Sequence, residues 1–170
     1  MRKVILIIII LTKLVFSISA QQKELLAILI FKNNSNVFPY SSQYYPEELC
    51  GLLTTEFFKT NRFKLIERPR ISVVIYEQRF QESNLSDKQI QSLGQILGVR
   101  KIITGECVFR KDAYSANARI VDVQTGQIVR SVSCTVNNKI DYGYFVENLS
   151  EDKMLQSLAI KITEQILEYY

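Results

Sequence analysis

The sequence predicts an α/β fold, a single-domain sandwich whose mixed sheet is covered by helices in the order β-α-β-α-α-β-β-β-α. Three observations predict it. Leu25 to Lys32 (LLAILIFK) is a continuous apolar run, as suits a strand buried on both faces. Four other segments space their apolar residues as helices do, and most carry a start signal. Lys101 to Arg110, Tyr114 to Gln124 and Gln127 to Val136 are three strand-like runs in succession.

Each element has its own reason. After the first strand comes a turn-rich stretch, Asn33 to Tyr45 (NNSNVFPYSSQYY). Pro46 then opens a helix where a missing N–H does no harm, and Leu49, Leu52, Leu53 and Phe57 give it one apolar face. Phe63 to Glu67 (FKLIE) alternates as a short strand. Arg68-Pro69 starts the next element, where Ile71, Val74, Ile75 and Gln78 keep a helical spacing although SVVIY has strand propensity. Ser86 and Gln89 make a capping box, Ile90, Leu93, Ile96 and Leu97 the buried stripe, and Gly98 ends that helix. Ser150 caps the last helix, with Glu151 and Asp152 in its positive first turn. Met154, Leu155, Leu158, Ile162 and Ile166 form the stripe of that helix.

A two-residue turn at Thr125-Gly126 pairs Gln124 with Gln127, so that Cys134 faces Asn117. With Arg110 paired to Tyr114, Cys107 faces Asn117 as well. The two thiols would then have a whole strand between them, too far apart for a disulfide. In the same arrangement Arg119 lies opposite Gly105.

The 170 residues carry a formal charge of +4, but Arg2, Lys3 and Lys13 all lie in an acid-free first twenty. The remainder is nearly neutral and offers no electrostatic footprint for nucleic acid. There is no histidine, which removes the commonest general base and most zinc sites. No cofactor or metal is expected. The basic Met1-Arg2-Lys3, the apolar Val4 to Leu11 and the small residues Ser17 to Ala20 follow each other as in a secretory signal peptide (residues 1–20). The residue directly after Ala20 is Gln21 and not cysteine, so the expectation is a periplasmic, non-lipidated domain over 21–170 without a transmembrane segment, peripheral at most to the outer membrane. Three cysteines leave at least one unpaired within the chain.

Three blocks stand in register: Phe63-Lys64-Leu65-Ile66-Glu67-Arg68 with Glu77-Gln78; Leu93-Gly94, Leu97-Gly98-Val99, Ile102-Ile103 and Thr104-Gly105-Glu106; and Ala118-Arg119-Ile120-Val121-Asp122-Val123 closing on Thr125-Gly126-Gln127. Together they resemble the periplasmic domain of the curli-secretion channel (CsgG) family, which the LpoB-like penicillin-binding-protein activators share. The resemblance spans roughly Leu25 to Ile166. It implies a bacterial envelope protein with a fold akin to the N-terminal domain of TolB. Two departures stand out. The lipid-accepting cysteine is missing, and the gaps Arg110–Tyr114 and Asn137–Asn148 are too short for the membrane hairpins of the channel members.

Several residues become candidates. Asn33, Asn34, Phe38, Tyr40, Tyr44 and Tyr45 form a loop suited to partner recognition or to folding back on the core; the resemblance places this loop where channel members narrow their pore. Glu67 and Arg68 read as a functional pair or as an ion pair fixing the strand–helix turn. Glu67 with Glu77 is the one conceivable carboxylate acid–base pair. Gly98, Gly105, Arg119, Asp122 and Gly126 read as structural members of the family blocks. Sequons at Asn33, Asn84 and Asn148 matter only in a eukaryotic secretory pathway. The expected function is a non-enzymatic envelope module that oligomerises or docks onto an envelope partner. The alternatives are a soluble subunit of a channel whose barrel comes from another chain, and a small hydrolase without histidine.

Overall fold

The computed structural model of the protein describes residues 23–35, 44–141 and 146–169. Strands β1 (Glu24–Ile28) and β2 (Lys32–Asn33) are followed by helix α1 (Tyr45–Lys59), β3 (Phe63–Leu65), α2 (Arg68–Glu77) and α3 (Asp87–Leu97). The meander β4 (Lys101–Phe109), β5 (Ala113–Asp122) and β6 (Ile128–Asn137) comes next. The small hairpin β7 (Lys139–Asp141) and β8 (Val146–Asn148) and helix α4 (Glu151–Leu167) complete the order. The main sheet runs β3-β1-β4-β5-β6, with β2 also paired to β4. β3, β1 and β4 are mutually parallel, and β4, β5 and β6 antiparallel. This is the predicted mixed α/β sandwich. The β7–β8 hairpin was not foreseen; it lies in what reads as a polar link.

Two cores follow from strand alternation. Leu26, Ile28, Ile103, Ile120 and Val132 point to the side covered by α1 and α4. Ala27, Leu29, Ile102 and Val121 point to the side covered by α2 and α3. The apolar run at 25–32 is not one strand. Between the pairs Ile28–Ile103 and Lys32–Glu106 it spends four steps against three, which is a β-bulge. Hence Leu29 and Phe31, which would share a face in a regular strand, lie in opposite cores.

The helix signals hold, except that Ile96 is exposed and lies off the buried stripe of α3, which Ile90, Leu93 and Leu97 form. Pro46 sits in the first turn of α1. The Ser86–Gln89 capping box is formed, and Gly98 closes α3 at φ 69°. Ser150 caps α4. The SVVIY segment is helical because Ile71, Val74 and Ile75 fill the second core, and that burial overrides strand propensity.

The meander registers each differ by one residue from the expectation. Cys107 pairs with Ala116 and so does Cys134, not with Asn117. The cause is turn chemistry. Arg110 N–H donates to the Ala113 carbonyl, so pairing begins at Ala113 instead of Tyr114. At the other end Asp122, not Gln124, closes the ladder: Gly126 N–H donates to its carbonyl and a register shift follows between Ile120 and Val121. Both shifts displace the two cysteines equally, so their expected separation by one intervening strand survives. Arg119 accordingly lies opposite Thr104, and Gly105 opposite Ala118.

Candidate functional site

The stem of the Asn33–Tyr45 loop is locked by the residues proposed as its recognition groups. The Asn33 side-chain oxygen accepts from Ser35 N–H at 3.0 Å, an Asx turn. Asn34 donates its amide to Glu106 at 2.9 Å and its backbone N–H to the Cys107 carbonyl. Ser35 Oγ accepts from Phe109 N–H at 2.8 Å. On the far side Tyr45 is 7% exposed and its hydroxyl donates to Glu151 in the first turn of α4. Its ring meets Phe109 and Tyr114 at centroid distances of 5.3 and 5.6 Å. Burial beside Tyr45 pushes the Tyr114 hydroxyl strongly upward, so it stays protonated.

Of the two readings of the loop, Tyr45 takes the second and folds back on the core. It is drawn in because α1 starts there and its ring completes an aromatic triangle. Asn33 and Asn34 hold the stem. Tyr44 is 61% exposed and remains available to a partner. Phe38 and Tyr40 lie outside the described residues.

The family-block residues form two structural knots. Arg68 makes a bidentate pair with Glu82, not with Glu67, and Glu82 also accepts Ile30 N–H at 3.0 Å. The pair thus ties the start of α2 to the bulge in the first strand. Glu67 is the exposed N-cap of α2 without a side-chain cap bond. Asp122, 6% exposed, takes Arg100 Nε at 2.9 Å on one oxygen, and on the other the N–H groups of Gln124 and Thr125, both at 3.0 Å. The Arg100 hydrogen bond is the first cause holding its carboxyl below the usual range. Gly126, at φ 70°, completes that turn.

Arg119 reaches Asp87 at 3.1 Å on the surface, and does not fill the space at Gly105. That space belongs to Phe31 and to the neighbouring backbone: a Cβ on Gly105 would lie 2.2 Å from the Asn117 carbonyl oxygen and 2.8 Å from the Phe31 ring.

The carboxylate pair does not assemble. Glu67 caps one end of α2 and Glu77 is its last residue, so ten residues at 1.5 Å rise set them about 15 Å apart. A glycosidase pair stands no more than about 9.5 Å apart. The three cysteines are buried and unpaired. Burial pushes the thiols of Cys50 and Cys107 up to about 11 and about 12. Among the described residues no cluster of three or more Cys, Asp or Glu could hold a metal, and no helix is long and apolar enough to cross a membrane.

The roles of Glu82 and Glu106, and the bond that Glu151 accepts from Tyr45, were not legible in the sequence. These carboxylates act on partners 14, 72 and 106 positions away, and no local pattern announces such pairs. Phe58 did leave a signal, an aromatic one step off the buried stripe of α1, and it is 73% exposed.

No curated protein matches the chain by sequence. The fold is shared with solved structures of low sequence identity. The LpoB C-terminal domain from Escherichia coli aligns at TM-score 0.56 and 16% identity, over 67% of this chain and 82% of that one. The lipoprotein GNA1162 from Neisseria meningitidis aligns at 0.57 and 14%, over 85% and 96%. TolB from Acinetobacter baumannii aligns at 0.52 and 17%, over 86% of this chain and 28% of TolB. Residues 11–110 match the family described as "Curli production assembly/transport component CsgG". With more than half its length matched, the chain belongs to the CsgG family.

Proposed function

We propose that the protein is a non-enzymatic module of the cell envelope that works by docking to an envelope partner or to copies of itself. The match to the CsgG family carries this reading. The geometry supports it in two ways. The conceivable carboxylate pair is split across α2, and burial holds the Cys50 and Cys107 thiols protonated, so neither supplies the chemistry a hydrolase would need. Meanwhile the Asn33–Tyr45 loop is held firmly at both stems while presenting Tyr44 outward, as a recognition loop on a rigid scaffold does.

The module is exported to the periplasm and remains peripheral to the membrane. The twelve residues from Asn137 to Asn148 cannot supply two strands of about 9–11 residues each, so a channel role requires a barrel from another chain. The test replaces Phe38 and Tyr40 together by Ala. Association with the envelope fraction falls at least about tenfold while the melting temperature stays within a few degrees. A change in stability alone, with association intact, contradicts the loop's role.

A further inference from the structure

An open groove of about 980 Å³ runs beside β3, near the C-terminal end of α1. Thr55 and Phe58 of α1 form one wall and the segment from Phe63 to Glu67 the other. β3 is the edge strand on this side of the sheet. Ile66 N–H turns inward to the Leu26 carbonyl at 3.0 Å, so by alternation the main chain of Leu65 turns outward to the groove.

The two faces at this edge differ. Phe63 and Leu65 belong to the α1 side. Lys64 alternates with Ile66 and so belongs to the α2 side, and Lys23 keeps step with Leu25 on that same side. Both lysines border the groove, and among the described residues neither has an acidic partner. Lys23 donates to the Asn61 amide oxygen. Among the described residues Glu67 is the single acid at the rim.

We propose that this groove receives an extended segment of a partner protein, added as a strand to β3, that alternates apolar residues against Phe58 and Leu65 with acidic residues toward Lys23 and Lys64. A second copy offering its other edge does not fit the charge, because β6 (IVRSVSCTVN) contains no acidic residue. None of the stem residues Asn33, Asn34, Tyr44 and Tyr45 lines this groove, so the proposal does not depend on the role of the Asn33–Tyr45 loop.

The probe is a fluorescein-labelled octapeptide alternating Asp or Glu with Leu, Val and Phe, titrated onto the full protein and followed by anisotropy; its counterpart carries Lys in place of every acid. The acidic peptide binds at least about tenfold more tightly than its counterpart. Phe58→Ser and Lys64→Glu, both at exposed positions, each weaken it about fivefold or more. Tyr76→Ser, on exposed α2 surface, leaves it unchanged. Circular dichroism verifies that each variant is folded. Absence of binding at millimolar peptide, equal binding of the two peptides, or indifference to both groove variants overturns the proposal. So does capture of anionic phosphatidylglycerol vesicles, in preference to the peptide, that the same variants abolish.

Discussion

Cys107 and Cys134 face the same residue, Ala116, from strands on either side of it. Both thiols point into the α1/α4 core. They are thus two strand spacings apart, about 9–10 Å, beyond the roughly 7 Å that a disulfide allows between Cα atoms. Non-reducing peptide mapping will yield no peptide linking them. A linked peptide from monomeric protein would mean that β5 does not lie between β4 and β6.

The same burial sets thiol reactivity. Cys50 and Cys107 are pushed from about 9 to about 11 and about 12, which cuts the thiolate fraction about 100-fold or more at pH 8. Cys50 also donates to the Ile28 carbonyl and Cys107 to the Lys32 carbonyl, so both sulfhydryls are engaged as neutral donors. Reaction of these two cysteines with a chromogenic disulfide reagent at pH 8 is therefore at least about 100-fold slower in the native protein than in urea.

Asp122→Ala removes the acceptor of two turn N–H groups and the partner of Arg100 together. The expected loss is about 2 kcal/mol at pH 7, read from urea midpoints. The sign of its pH dependence follows from the lowered carboxyl. The unfolded carboxyl takes up its proton first, near its ordinary value of 3.8, so the stabilisation is complete above that pH and is lost as pH falls through the lower folded value. The gap between wild type and Asp122→Ala accordingly narrows below about pH 4.

Gly105→Ala places a methyl group 2.2 Å from the Asn117 carbonyl oxygen, a backbone atom that cannot rotate away. The cost is about 2–3 kcal/mol. Gly51→Ala, at a helix position with nothing within 4 Å of the added carbon, stabilises by about 0.5–1 kcal/mol. Thermal unfolding of the two variants separates close approach from mere glycine content.

Glu67→Gln and Glu77→Gln, alone or together, leave biological activity within about twofold of wild type. Both side chains are exposed and about 15 Å apart along α2. Loss of activity in a well-folded double variant would reinstate the hydrolase reading.

What the sequence disclosed depended on range. Features written in adjacent residues were legible: the Ser86–Gln89 box, the Gly98 cap, the proline start of α1 and the apolar stripe of α4 each depend on contacts within a few positions. The turn at Asp122 was half legible. Thr125-Gly126 announced it, but a carboxylate gathering two N–H groups displaced the ladder by one residue. The bulge in the first strand was hidden because an all-apolar run shows no change of phase when its faces exchange. In the loop, Asn and Tyr read equally well as recognition groups or as stem anchors. Only the distant carboxylates of Glu106 and Glu151 decide which they are.

The central claim, a module that acts by docking, is tested most directly by mass. The purified protein is measured by sedimentation alone, and again after mild cross-linking in its own envelope fraction. The account predicts a discrete species heavier than the 19.7 kDa chain, either a closed oligomer or a complex with an envelope protein, that the Phe38→Ala/Tyr40→Ala variant forms poorly. A monomer under both conditions, for wild type and variant alike, would contradict it.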